Sequence, residues 1–167
     1  MVKQIELTQG KVALVDDEDY PRVSQYRWQY AYSYGRGYAT RAVRNKGGAQ
    51  RREFMHKVLM PCRPGCIVDH VNGNSLDNRR CNLREATRSQ NAANSRKRTS
   101  GSSRFKGVSW YKPRRQWRCA LYDHGKLIDL GFFDDESEAG RAYDIEAKRV
   151  YGEFARLNFP EKIVPLM

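Results

Sequence analysis

The sequence predicts an α+β protein: an N-terminal mixed α/β region, a basic linker, then a three-stranded antiparallel sheet packed on one helix. Three observations predict it. Short apolar runs broken by Gly, Asn and Pro fill the first 60 residues, a pattern of hairpins and short helices. "SRKRTSGSSR", residues 95–104, is basic, Ser/Gly-rich and without an apolar residue, the composition of a flexible linker. Beyond it, three strand-like runs precede one long amphipathic segment.

Element by element, "IELTQGKVALVDDEDY" places two apolar runs around Gly10, as in a hairpin. "DDEDYPRVSQYRW" reads as a short helix whose acids sit at its start, where the helix dipole favours them. "YAYSYGRGYATRAVR" alternates Tyr/Ala with polar residues around glycines, so strand–turn–strand is expected. "REFMHKVLM" has an apolar face and fits a helix or a strand. The rings of Tyr20, Tyr26, Trp28, Tyr30, Tyr32, Tyr34 and Tyr38 are interspersed with Arg22, Arg27, Arg36, Arg41 and Arg44. They suit either the core of a small domain or a surface that touches nucleic acid. After the linker, "FKGVSW", "QWRCALYD" and "KLIDLGFF" read as strands, and "DESEAGRAYDIEAKRVYG" as a helix. Asp135 followed by Glu138 makes a capping-box-like start, and Gly152 suits the residue after the helix end. In "WRCALY", alternation puts Trp117, Cys119 and Leu121 on the helix side and Arg118, Ala120 and Tyr122 on the other.

The chain has 167 residues, with 31 Lys+Arg against 19 Asp+Glu and a net charge of +12. That excess points to a polyanionic partner. No apolar run nears the ~20 residues of a membrane span, and "MVKQIELTQG" lacks a signal peptide's apolar core. A cytoplasmic location is expected, with the four cysteines as thiols or metal ligands rather than disulfides.

"IVDHVNGNSLDNRRCNLREATRSQNAAN" is the chemically informative stretch. An apolar lead ends in Asp69-His70, and six asparagines follow by residue 94. Asn-Gly marks a turn, "LREAT" a returning strand, and Thr87 with Gln90 a helix start that carries Asn91. A strand–loop–strand–helix of this size can bring Asp69, His70 and Asn91 together. A carboxylate oxygen and an amide oxygen suit Mg²⁺ or Mn²⁺ that keeps several waters. A neutral histidine suits activation of water. Together they fit hydrolysis of a phosphodiester, with Asn82 available to hold the loop or the histidine.

The parts "VDHVNGN", "LDNRRCNLREAT" and "SQNAANS" closely resemble the HNH endonuclease motif in its Asp-His form, the ββα-metal fold. The resemblance implies Asp69 as metal ligand, His70 as general base, Asn82 as the loop-stabilising asparagine and Asn91 as the second metal ligand, with Asn94 as the alternative. His56 matches a histidine-containing segment ahead of the motif and is expected to be structural or near DNA rather than catalytic. Residues 1–94 would form the nuclease domain, its core at about 54–95. Residues 105–160 resemble the DNA-binding domain of plant ethylene-response factors, the APETALA-two class, through "FKGVSW", "QWRCAL", "LGFFDDESEAGRAYDIEAKRVYG" and "LNFP". That implies a sheet entering the major groove of double-stranded DNA. The reading face departs from the plant pattern at Ser109, Tyr111, Ala120, Tyr122 and Leu127, so the plant target does not transfer. Phosphate contacts are expected from Lys106, Lys112, Arg114, Arg115, Arg118 and Lys126, with Tyr122 on the same face and Arg96, Lys97, Arg98 and Arg104 in the linker.

The two halves describe a site-directed DNA endonuclease of the homing or phage nicking kind, in a bacterial or phage-infected cell. One site per chain favours a nick by a monomer, whereas a double-strand cut would need a dimer or two events. A DNA-binding regulator with an inactive nuclease module is the rival reading, and RNA binding a weaker one. Cys62 and Cys66 form a Cys-x3-Cys pair, with Cys81 and His56 the nearest further ligands. Structural Zn²⁺ needs four ligands, and buried thiols are the expected state.

Overall fold

The computed structural model describes residues 1–33, 35–97 and 100–160. Tyr34, Arg98 and the C-terminal "EKIVPLM" therefore lie outside the described residues. The chain divides into two compact units, Met1–Thr87 and Arg88–Met167. It is mixed α and β, with several small antiparallel sheets and few helices.

In the first unit, β1 (Val2–Glu6) and β2 (Val12–Asp16) pair antiparallel. Alternation turns Ile5, Ala13 and Val15 into the core. The turn between them uses positive φ at Gln9 and Gly10. Helix α1 (Tyr20–Ser24) begins at a proline-containing turn and buries Val23. Trp28 donates its Nε1–H to the Val23 carbonyl at 2.8 Å, satisfying the one polar group of a buried indole. Strands β3 (Gln29–Ser33), β4 (Arg36–Arg44) and β5 (Gln50–Phe54) form one antiparallel sheet. "REFMHKVLM" turns out to be both of its readings: β5 ends at Phe54 and α2 (Met55–Leu59) starts on the next residue. The rings also divide. Trp28 is core, Tyr20 and Tyr30 pack against it, and Tyr32 is 71% exposed. The hairpin of β6 (Ile67–His70) and β7 (Leu83–Ala86) completes the unit.

The second unit opens with α3 (Arg88–Ala93), so the compact division falls before this helix rather than within 95–104. The serine-rich stretch is tied down at its far end. Ser103 is buried, and its hydroxyl and the Arg104 N–H both donate to Glu136 at 2.8 Å. Strands β8 (Val108–Tyr111), β9 (Gln116–Asp123) and β10 (Lys126–Phe133) form the sheet, and α4 (Glu136–Tyr151) covers it. Asp135 caps α4 by accepting from the Ser137 and Glu138 amides. Val108, Cys119 and Leu121 pack on Ala139, Tyr143 and Ala147. The "AYD" and "LNFP" segments bind each other: Asp144 accepts from the Asn158 and Phe159 amides, at 2.7 and 2.8 Å. Asn158 in turn pairs with the Lys106 backbone in both directions.

Candidate functional site

β6 ends on Asp69 and His70, which are 1% and 3% exposed. A carboxylate this deep needs a partner. The hairpin register supplies one by setting Arg84 directly across from Asp69. Arg84 Nε donates to Asp69 Oδ2 at 3.0 Å. This arginine was not read from the sequence, although the returning strand "LREAT" contains it.

His70 Nε2 lies 3.3 Å from Asn78 Oδ1. The Asn78 amide nitrogen donates to the Leu76 carbonyl, so its oxygen is the atom that faces the ring. Nε2 then carries the proton, and the basic lone pair belongs to Nδ1. Burial holds the His70 pKa below its ordinary value, against the upward pull of Asn78 and Asp69. The ring is therefore neutral near pH 7, as a general base must be. His56 from α2 meets His70 edge-on, ring centroids 5.1 Å apart. Tyr38 of β4 lies 5.7 Å from His56 and 6.5 Å from His70. Burial, and next the charge of His70, push His56 down to about 3. It acts as a neutral wall against the His70 ring.

The asparagines of the loop explain themselves. Asn82 Oδ1 accepts from the Asn72 amide at 2.9 Å, and Asn82 Nδ2 donates to the Asp77 carbonyl at 2.7 Å. One side chain thus ties both ends of the loop. Asn72 and Asn74 each accept from the amide two residues on, which fixes two successive turns. Asp77 accepts Arg79 bidentately at 2.7 Å and Asn72 at 2.9 Å, and Arg79 first of all holds its carboxyl below the usual range. The loop is also hooked to the N-terminal hairpin. Leu14 N–H donates to Leu76 O and Asn78 N–H to Leu14 O, both at 2.8 Å. Arg80 lies on Asp19 and donates its backbone N–H to Asp16.

The first unit thus assembles Asp69, His70 and Asn82. Asn91, half-buried, lies on α3 of the second unit, and Asn94 is buried just beyond that helix. Among the described residues, Asp16, Glu18 and Asp19 are the His/Cys/Asp/Glu group spaced to hold an ion. Arg80 already contacts all three through its backbone or guanidinium, so this is an ion-pair cluster. Cys62 donates its thiol to the Cys66 carbonyl, Cys81 is exposed, and burial pushes the Cys119 thiol up to about 12.

Of the expected DNA contacts, Arg96, Arg104, Lys112, Arg114, Arg115, Tyr122 and Lys126 are exposed, and Lys97 is half-buried. Arg98 is outside the described residues. Lys106 is half-buried and bonded within its own unit. Its ammonium donates to the carbonyls of Ala92, Ala93 and Ser95, closing the end of α3. Burial lowers its pKa to about 8. A lysine held by three carbonyls acts as a helix-end clasp. Arg118 is paired with Asp129.

Residues 61–93 match the family model of an HNH endonuclease. The chain is 30% identical over 151 residues to an uncharacterized HNH endonuclease of Acanthamoeba polyphaga mimivirus, covering 89% of this chain and 75% of that one. The chain belongs to the HNH endonuclease family. This HNH endonuclease is also 32% identical over 96 residues to protein 3.8 of Escherichia phage T7, covering 58% of this chain and 78% of that one. It is also 44% identical over 59 residues to an AP2/ERF and B3 domain-containing protein of Oryza sativa subsp. japonica, covering 35% of this chain and 16% of that one. No solved structure matches the chain. Membership implies a nuclease acting on DNA. Among the described residues no helix is long and apolar enough to cross a membrane.

Proposed function

We propose that this HNH endonuclease hydrolyses one strand of duplex DNA with a single Mg²⁺ or Mn²⁺, held by Asp69 and Asn91, and with His70 as general base. The observation that carries it is a buried His70 whose Nε2 lies 3.3 Å from Asn78 Oδ1, beside a buried Asp69 paired with Arg84. The donor set fits such an ion, because a carboxylate and an amide oxygen are hard ligands that leave room for water and phosphate. When bound, the ion neutralises charge on the scissile phosphate and the leaving oxygen. His70 takes the proton of the attacking water on Nδ1. Asn78 keeps Nε2 protonated, and His56 and Tyr38 fix the ring plane. Arg84 holds the Asp69 carboxylate in place. Asn82 keeps the loop from Asn72 to Asn78 in register with His70.

The C-terminal unit serves as a DNA-binding module that delivers this site to its target. Its likeness to a stretch of an AP2/ERF and B3 domain-containing protein supports that role, as does the exposed basic set at the sheet ends. One active site per chain fits a nick by a monomer, in a homing or phage setting. The test is conversion of supercoiled plasmid carrying the protein's own source DNA, with and without Mg²⁺ or Mn²⁺, beside His70→Ala. Metal-dependent open circles that His70→Ala abolishes are expected. Linear product from the start would replace the monomer by a dimer. Binding without any cutting would replace the nuclease reading by a DNA-binding regulator.

A further inference from the structure

The β8–β10 sheet has one face on α4, and its other face carries exposed side chains. The register sets Tyr122 opposite Leu127 and Ala120 opposite Asp129, with Arg118 one alternation away on the same face. Tyr122 is 64% exposed, Leu127 45% and Tyr111 38%. The charged groups in the middle of this face are bonded to each other: Arg118 Nε and Nη2 donate to Asp129 Oδ2 at 3.1 and 2.7 Å. Asp129 is itself pinned, since Oδ1 accepts the Gly131 N–H at 3.1 Å across the bulge between them. Cations stand at both ends of the strands, with Lys112, Arg114 and Arg115 in the β8–β9 turn and Lys126 past the β9–β10 turn. The eight-residue β9 between them spans about 23 Å. The layout is an apolar centre with cationic ends, which suits a base-edge surface flanked by phosphates.

The major groove offers two strongly different partners to such a centre. Guanine calls for an arginine fork on O6 and N7, and thymine offers its methyl group to apolar side chains. We propose that this face reads thymine methyls through Tyr122, Leu127 and Ala120, and that Asp129 turns it away from guanine by holding the Arg118 fork. The inference rests on the reading of the C-terminal unit as a DNA-binding module.

The full chain, kept from cutting by EDTA, is used to select bound duplexes from a random pool. A run rich in A·T pairs is expected in the selected site. Replacing two or three of its thymines by uracil removes only methyl groups and is expected to weaken binding about 15- to 60-fold, at about fourfold per buried methyl. Tyr122→Ala with Leu127→Ala, both at exposed positions, should bind thymine and uracil duplexes alike. Asp129→Asn should release Arg118 and bring guanine into one position of the selected site, with a gain on the order of tenfold. A guanine-centred site for the native chain, or equal binding of thymine and uracil duplexes, overturns the inference. The combined Lys112→Glu, Arg114→Glu and Arg115→Glu chain separates the two claims. If it loses affinity while uracil makes no difference, the module stands and thymine reading falls. If it binds as the native chain does, the module reading falls and takes this inference with it.

Discussion

Replacing Asn82 by Ala removes both hydrogen bonds that close the loop, at 2.9 and 2.7 Å. Asn82 is 5% exposed, so water does not replace the lost partner freely. Each orphaned backbone group costs about 1–3 kcal/mol. With partial relaxation of the loop, about 2–4 kcal/mol is expected, which for a unit of this size lowers the unfolding midpoint by on the order of 10–20 °C. Asn82→Asp should cost at least as much, since a carboxylate oxygen would then face the Asp77 carbonyl. Asn74→Ala is the control: its side-chain oxygen accepts from the Leu76 amide at an exposed site, a bond that should be worth about 0.5–1 kcal/mol. Thermal unfolding followed by tryptophan fluorescence reads the first unit through Trp28 but also the second unit through Trp110 and Trp117. Hydrogen exchange at the Asn72 and Leu83 amides is therefore the decisive readout. If Asn82→Ala shifts stability no more than Asn74→Ala, the claim that this side chain ties the loop is wrong.

Three further outcomes follow from named contacts. Arg84→Met removes the Arg84 Nε bond that holds the Asp69 carboxylate, and half-saturating Mn²⁺, measured by electron paramagnetic resonance of the free ion, should rise about 10- to 100-fold. His56, lowered to about 3 against an unfolded value near 6.5, binds its proton more tightly when unfolded. Stability of the first unit should therefore be full above about pH 6.5 and fall toward pH 3 by up to about 1.4 kcal/mol per pH unit, a slope that His56→Phe reduces in denaturant titrations. Gly107→Ala would put a Cβ 2.0 Å from the Tyr143 ring at a φ of +77°, and should destabilise the second unit by about 2–4 kcal/mol on calorimetry.

What the sequence made legible is what is local. The β1–β2 hairpin, α1, the β3–β4 pair, the three strands after the linker and the capped α4 all follow from periodicity and turn residues within about 20 positions. Asp69, His70 and Asn82 could be picked out because Asn, Asp and His crowd one loop. Contacts between distant segments could not be. Nothing in "VALVD" says that Leu14 pairs with Leu76 and Asn78, and nothing in "FKG" says that Lys106 reaches back to Ala92. Arg84 needed the register of β6 on β7, which the loop length sets and the sequence pattern does not. The serines at 102 and 103 looked like linker because their partners, Trp110 and Glu136, lie 8 and 33 residues on.

The hooks from Leu14, Asp16 and Asp19 onto the site loop bear on how portable the nuclease is. An excised cassette beginning at about residue 54 would carry Asp69, His70, Asn82 and Asn91, though not Tyr38. It would still leave the Asn78 and Arg80 amides without acceptors and the Arg80 guanidinium without Asp19. Grafting this activity onto another DNA-binding protein therefore requires the first 20 residues as well. During synthesis, the same dependence joins ends 61 and 64 residues apart before the loop can set, so a ribosome-bound chain holds no finished cutting site until its earliest hairpin has been met by one of its later turns.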